Sequence, residues 1–165
     1  MSLDDVLLER CEELVCECIA SGLTVSTAES CTAGLVASSI ADVPGASAVL
    51  RGGAVTYCNE VKHKVLGVGL DTLQVYSAVS YETAREMAQG SRRVFDSDVA
   101  VSLTGYAGPG GGTPEDPAGT VYFGLCTCRS VVSHRFHFAG DRNEVRMRAA
   151  VRAVELLLDS VRNTL

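Results

Sequence analysis

Segments with a strand-like residue pattern alternate with segments that have a helix-like pattern, and this alternation limits the fold more than any other feature. Strand-type runs occupy three stretches, at residues 23–28, 48–57 and 98–103. Helix-type runs comprise a first helix that ends near Gly22 and further helices at residues 32–41, 59–66 and 80–94. This order predicts a mainly parallel sheet with helices on both faces.

The C-terminal part adds two strands and a last helix. Residues 120–127 and 131–138 are joined by a short turn and can pair as an antiparallel hairpin, so we expect a mixed sheet. The last helix starts near Asp141. No repeat or linker is visible, and the sequence therefore predicts an α/β fold, a single three-layer α/β/α domain over residues 1–165.

Two local features are less regular. Residues 68–79 are typical of a loop that contains a helical turn. Gly52 and Gly53 interrupt the strand at residues 48–57, and we expect a weak point or a bulge there.

Composition narrows the class of protein. The chain is 47% hydrophobic with 16 Gly and no Trp, which is typical of an α/β enzyme scaffold. Its net charge of −6 argues against nucleic acid or a membrane surface as partner. No signal peptide or membrane-spanning run is visible, so we expect a cytoplasmic protein whose seven Cys are reduced. The Cys and His spacing gives no convincing metal site.

A serine and a cysteine lie side by side where a strand gives way to a helix. Ser30 and Cys31 follow the run at residues 23–28, at a place where helix N–H groups can stabilise developing negative charge. The same letters also suit an ordinary Ser/Thr helix cap. Taken alone, this segment does not decide whether its side chains are catalytic or only cap the helix, nor whether Ser30 or Cys31 would be the nucleophile.

Three further features suggest chemistry. A Gly-rich loop at residues 104–119 leaves the end of a strand, where glycines let backbone N–H groups approach an anion, although it could also be merely structural. Lys62 lies in the first turn of a helix that Asn59 is expected to cap, so its pKa could be lowered, unless it is simply a solvated surface lysine. Arg142 and Arg146, one helical turn apart, could grip a phosphate or form a solvated helix face.

Several motifs, in order along nearly the whole chain, resemble the CinA C-terminal domain family. They lie at residues 27–34, 42–47, 53–62, 78–80, 104–113, 119–122 and 140–142. The resemblance implies a nicotinamide-nucleotide amidase, which converts nicotinamide mononucleotide to nicotinate mononucleotide and ammonia without cofactor or metal. It also implies a three-layer α/β/α fold, in agreement with the pattern of the segments.

The resemblance implies roles for individual residues. Ser30 matches the family's nucleophile, Lys62 its base, and Tyr57 an assisting tyrosine that could relay the proton. Oxyanion and substrate contacts are expected from two main-chain segments and one arginine: Cys31, Thr32, Ala33, Gly34, Thr104, Gly105, Gly108, Gly110, Gly111 and Arg142. Of these, the 5′-phosphate is assigned to Arg142 and the Gly-rich loop.

Two positions depart from the family pattern. Ser77 stands where Gly is expected, and Asp116 where Lys is usual, which removes a positive charge near the ligand loop. A nucleotide-binding regulatory protein of the competence/DNA-damage type, without turnover, is the alternative function. A Cys31 nucleophile is a further alternative. We also expect a homodimer, as is common for small α/β enzymes.

Overall fold

A computed structural model describes residues 1–164 and contains one five-stranded sheet. The helices are α1 Leu3–Ser21, α2 Leu35–Ala41, α3 Asn59–Leu66, α4 Leu70–Tyr76, α5 Tyr81–Phe95 and α6 Arg142–Thr164. The strands are β1 Val25–Glu29, β2 Leu50–Val55, β3 Val99–Gly105, β4 Thr120–Cys126 and β5 Val131–His137. A short 3₁₀ turn, Ala46–Ala48, leads into β2.

The strand order is β2-β1-β3-β4-β5. β1 pairs in parallel with β2 and β3, whereas β4 pairs antiparallel with both β3 and β5. The predicted mixed sheet and its C-terminal hairpin are therefore confirmed. β1 is buried throughout and β3 is buried up to its last residue, Gly105, as expected of central strands that are covered on both faces.

Helices form a layer on each face of the sheet. α1, α2 and α6 pack together on one face, and their apolar side chains join those of β1, β3 and β4 in the main core. α5 covers the other face, with α3 and α4 against it. Gly124 of β4 permits this close approach, because a side chain there would collide with the carbonyl of Ala84 in α5. The three-layer α/β/α architecture is as predicted.

Three local details differ from expectation. α2 begins at Leu35 and not at residue 32, because Ala33 and Gly34 adopt positive φ angles of 51° and 95° that no α-helix contains. The segment expected to be a loop holds a full helix, α4, which buries only Leu73 and therefore shows little periodicity. The irregularity in β2 falls at Arg51, just before the two glycines, since Val25 pairs with Leu50 and Ser26 with Gly52.

Within residues 1–164, no helix is both long and apolar enough to cross a membrane.

Candidate functional site

A cavity of about 230 Å³ lies beyond the carboxyl ends of the parallel strands. β1 is followed by α2 on one face of the sheet, and β2 by α3 on the other, so the crevice at these ends is where α/β proteins bind ligands. Nine of the residues predicted for the site line it: Ser30, Cys31, Tyr57, Lys62, Thr104, Gly105, Gly108, Gly110 and Arg142.

Four further residues complete the lining of the cavity, and four of the predicted residues lie outside it. The structure adds four lining residues that were not named individually, Ala78 and Val79 of the motif at residues 78–80 and Tyr106 and Ala107 of the Gly-rich loop. Thr32, Ala33, Gly34 and Gly111 are not part of the lining.

Ser30 and Lys62 meet at the base of this cavity. The Nζ atom of Lys62 is 3.0 Å from the Ser30 Oγ and 2.8 Å from the main-chain carbonyl oxygen of Thr56. A third contact, at 3.4 Å, joins the Nζ to the Tyr57 carbonyl oxygen. Lys62 is only 1% exposed, which excludes the solvated surface lysine that the sequence left open.

The surroundings of Lys62 favour its neutral form. Burial lowers the pKa of Lys62 below its ordinary value. No carboxylate lies within ion-pair distance of it in the part of the chain that the structure describes. The helix α3 starts at Asn59 with Cys58, not Asn59, in the capping position, and Lys62 is its fourth residue.

The two carbonyl contacts orient the amine. As an ammonium, Lys62 Nζ donates to Ser30 Oγ and to the carbonyls of Thr56 and Tyr57; once it loses a proton, its two remaining hydrogens can stay on the carbonyls, which only accept. Its lone pair then faces the hydroxyl of Ser30. This arrangement can remove the hydroxyl proton as the serine oxygen attacks an electrophile.

The turn at residues 30–34 carries the serine and is held from below by Glu29. Both carboxylate oxygens of this fully buried residue accept main-chain hydrogen bonds, from Gly34 at 3.0 Å, Val36 at 3.1 Å and Ala37 at 2.9 Å. The first N–H groups of α2 are therefore already occupied. The expected oxyanion contact from Gly34 is thus not available in this structure.

Other N–H groups near Ser30 remain available. The amides of Cys31 and Thr32 have no hydrogen-bond acceptor within residues 1–164, whereas Ala33 donates to the Ser30 carbonyl at 3.1 Å. In the Gly-rich loop, the amides of Gly108 and Gly110 are similarly without an acceptor among the described residues. Cys31 and the Gly-rich loop line the cavity and can offer donors to a negative oxygen there, whereas Thr32 is fully buried.

The two arginines of α6 do not act as a pair. Arg142 donates to the Gly108 carbonyl at 2.9 Å and to the Tyr57 hydroxyl at 3.0 Å, and it lines the cavity. Arg146 instead reaches the carbonyls of Cys31 and Thr32, each at 3.1 Å. A joint phosphate grip by Arg142 and Arg146 is therefore not the arrangement found.

Tyr57 lies at the rim of the cavity with 57% of its surface exposed. Its hydroxyl is bonded to Arg142, and its contact with Lys62 is through the main-chain carbonyl. Among the described residues, the Tyr57 hydroxyl makes no hydrogen bond to Lys62 or Ser30, so these contacts do not provide a proton relay through it.

Cys31 is a poor candidate for a thiolate nucleophile. Its side chain is buried, and burial raises the pKa of its thiol to about 11, so the thiol stays protonated at neutral pH. Lys62 bonds to Ser30 instead. Among the residues that the structure describes, no group of three His, Cys, Asp or Glu side chains is placed to hold a metal ion.

The two departures from the family pattern have local structural effects. Asp116 accepts hydrogen bonds from the Tyr122 hydroxyl at 3.0 Å and from Arg135 Nε at 2.8 Å. It lines neither this cavity nor the second cavity beside it, which residues 107–109, 118–119 and 140–143 surround. It fastens the Gly-rich loop to β4 and β5. Ser77, just before Ala78 and Val79 of the lining, has φ 71° and ψ 172°.

Comparison with known proteins gives consistent results. The model of the CinA C-terminal domain matches residues 8–161. A putative competence-damage inducible protein of Clostridium novyi is 48% identical over 139 residues, 84% of this chain and 34% of the relative. A CinA-like protein of Kosmotoga olearia is 49% identical over 150 residues, 90% of this chain and 36% of the relative. The chain thus spans about a third of the length of these curated relatives.

Solved structures show the same fold. The competence/damage inducible protein CihA of Agrobacterium tumefaciens superposes with a TM-score of 0.91 at 38% identity, covering 93% of this chain and 94% of that one. A CinA superfamily protein of Escherichia coli also has a TM-score of 0.91, at 36% identity, covering 97% and 93% of the two chains.

Proposed function

The chain belongs to the CinA C-terminal domain family, and from this membership and the geometry of the cavity we propose that it is an amidohydrolase acting on nicotinamide mononucleotide. The observation that carries the proposal is the 3.0 Å contact between Lys62 Nζ and Ser30 Oγ. A buried lysine without a carboxylate partner, directed at a serine, is an arrangement that activates a nucleophile.

In the proposed reaction, Ser30 Oγ attacks the carboxamide carbon while Lys62 takes the hydroxyl proton. The carbonyl oxygen becomes negative in the tetrahedral intermediate and is stabilised by the main-chain amide of Cys31 or by those of the Gly-rich loop. Lys62 then returns the proton to the departing nitrogen, which leaves as ammonia. An ester between Ser30 and the nicotinoyl group remains.

Water completes the cycle. It loses a proton to Lys62 and attacks the ester, and collapse of the second intermediate returns that proton to Ser30 Oγ. The products are ammonia and a nicotinate carboxylate, so one water is consumed for each amide bond cleaved. No cofactor is required for this balance.

The remainder of the substrate needs more room than the first cavity offers. A second cavity of about 470 Å³ adjoins it and shares Ala107, Gly108 and Arg142. We place the pyridine carboxamide against Ser30 and the ribosyl phosphate across Arg142, with loop amides completing the phosphate site. Arg142 is suited to this role because its guanidinium lies on the boundary and makes no ion pair within residues 1–164.

The test is ammonia release from nicotinamide mononucleotide by the purified protein. We expect turnover by the wild type, none by Ser30→Ala, and near wild-type turnover by Cys31→Ala. Undiminished turnover by Ser30→Ala would reject the serine mechanism. Binding of pyridine nucleotides with no turnover of any of them would reject the amidase and favour a nucleotide-binding regulatory role.

A further inference from the structure

Arg146 of α6 reaches across to the turn that carries Ser30. Its Nε donates to the carbonyl of Cys31 and its Nη2 to the carbonyl of Thr32, each at 3.1 Å, although about 115 residues separate the partners in sequence. Arg146 makes no ion pair with a carboxylate in the described part of the chain. The Nε and Nη2 donors of this half-buried guanidinium are thus directed at two consecutive peptide groups.

These two contacts fix the planes of the peptides. In a trans peptide the C=O and N–H groups point in opposite directions, so holding one determines where the other points. Binding of the Cys31 carbonyl orients the N–H of Thr32 away from the guanidinium. Binding of the Thr32 carbonyl orients the N–H of Ala33, which donates to the Ser30 carbonyl at 3.1 Å.

The hydrogen bond from the Ala33 amide to the Ser30 carbonyl extends the effect to the peptide between Ser30 and Cys31. The Ser30 carbonyl and the Cys31 N–H belong to the same peptide plane, so fixing the carbonyl also fixes the Cys31 amide. Arg146 therefore helps to fix the directions of both amides next to Ser30, that of Thr32 directly and that of Cys31 indirectly, together with the Leu35 amide, which also donates to the Thr32 carbonyl at 3.2 Å. Its positive charge also polarises the two peptides it touches, which strengthens their N–H groups as donors.

The other donors of this turn are already occupied. Glu29 accepts from the amides of Gly34, Val36 and Ala37, and Ala33 is bonded to Ser30. Only Cys31 and Thr32 retain amides without an acceptor in this turn, as far as the described residues extend. Of these two, Cys31 lines the cavity whereas Thr32 is fully buried beside it, so the Cys31 amide is the one placed to meet a negative oxygen next to Ser30.

We propose that Arg146 is a positioning residue: through the carbonyls of Cys31 and Thr32 it fixes the turn after Ser30 and so sets the main-chain amide of Cys31, which stabilises the oxyanion formed on attack by Ser30. The proposal rests on the proposed Ser30 chemistry. It assigns Arg146 to the transition state, whereas Arg142, four residues earlier, is assigned to the substrate phosphate.

The test compares Arg146→Met and Arg146→Lys with the control Arg148→Met. Arg148 lies on the same helix, is exposed, and makes no hydrogen bond or ion pair within residues 1–164. We expect Arg146→Met to lower kcat for nicotinamide mononucleotide by about 10²-fold with little change in KM, because only the transition state is affected. Arg146→Lys should fall between this variant and the wild type, since an ammonium can reach one carbonyl at a time.

A second readout is independent of the natural substrate. A fluorophosphonate reacts with an activated serine: the oxygen of Ser30 bonds to phosphorus, fluoride leaves, and Lys62 takes the proton, while the phosphoryl oxygen occupies the oxyanion position. Ser30 of the control Arg148→Met should be labelled as fast as that of the wild type. Labelling should be slower in Arg146→Lys and slowest in Arg146→Met. Equal labelling rates, an unchanged kcat, or an effect on KM alone would overturn the role of Arg146.

The outcomes separate this inference from the proposed function. Labelling that depends on Arg146, without turnover of nicotinamide mononucleotide, would support the inference and reject the substrate. No labelling of the wild-type protein would overturn both the Ser30 assignment and the role of Arg146. If Arg146→Met does not fold, Arg146→Lys decides, and wild-type kcat in that variant would count against the proposal.

Discussion

The amine of Lys62 lies 3.0 Å from the hydroxyl of Ser30, although 32 residues separate the two in sequence. They meet because β1 and β2 are parallel neighbours whose carboxyl ends share one edge of the sheet. Ser30 directly follows β1, and Lys62 lies on α3, which follows β2. The pairing is therefore a product of the parallel topology.

We expect the turnover rate to depend on the protonation of Lys62. Burial lowers the pKa of Lys62, and only the neutral amine can accept the Ser30 proton. The value of kcat/KM should therefore rise with pH to a plateau, with its midpoint below the ordinary lysine pKa of 10.5. Lys62→Met should lower kcat by about 10²- to 10⁴-fold and abolish that rise. If kcat/KM of Lys62→Met still increased with pH at the same midpoint, a group other than Lys62 would be the one that titrates.

The same shift affects stability. Between the lowered pKa in the folded protein and the ordinary pKa in the unfolded chain, the unfolded chain binds more protons, so the free energy of unfolding should increase with pH across that window. Urea unfolding at several pH values measures this slope. It should be smaller in Lys62→Met, and an equal slope in both proteins would contradict a lowered pKa.

Much of the fold was predictable from the sequence, because its elements have a clear periodicity. α5 buries one face from Thr83 to Ser91, and β3 is a short, mostly apolar run that ends at a loop. For α4 only a helical turn within a loop was predicted, because a helix that buries only Leu73 has almost no apolar stripe. The start of α2 was placed three residues early because the sequence does not display the positive φ of Ala33.

The site was predictable in its residues more than in its contacts. Ser30, Lys62 and Arg142 were singled out and do line one cavity. The role of Glu29 was missed, since a carboxylate at the end of a strand gives no sign that it will turn inward to α2. For Arg146 the sequence left open a phosphate grip and a solvated helix face, and neither was found, because helical spacing shows which residues share a face but not what that face meets.

Glu29 should be essential for the shape of the turn at residues 30–34. Glu29→Gln replaces one accepting oxygen by an NH₂ group that faces main-chain donors, so at least one buried N–H loses its partner. We expect a loss of about 2 kcal/mol in the free energy of unfolding, and a lower kcat. Urea unfolding and ammonia release measure the two effects. The control is Ser38→Ala, an exposed position on α2 that should change neither; a stable, fully active Glu29→Gln would refute this view.

Ser77→Gly should stabilise the protein. Ser77 holds φ 71° and ψ 172°, a conformation that is essentially restricted to glycine. Glycine relieves this strain, but it also has more backbone entropy to lose on folding and lacks the weak 3.2 Å contacts between Ser77 Oγ and Val79. We expect a net increase of about 1 kcal/mol in the free energy of unfolding. The thermal midpoint should rise by a few degrees, as measured by calorimetry. Ser47→Gly, in the 3₁₀ turn where φ is not positive, is the matched control and should lower it.

Asp116→Lys installs the residue usual in the family, and it should weaken the loop without improving substrate binding. The carboxylate of Asp116 holds Arg135 at 2.8 Å and the Tyr122 hydroxyl at 3.0 Å, so a lysine would face Arg135 as a like charge. We expect the free energy of unfolding to fall by about 1 kcal/mol, as measured in urea. KM for nicotinamide mononucleotide should not fall, because Asp116 lines neither cavity. Asp116→Asn, which still accepts from Tyr122, should lose less stability. A lower KM in Asp116→Lys at unchanged stability would instead mean that a positive charge at this position serves the phosphate.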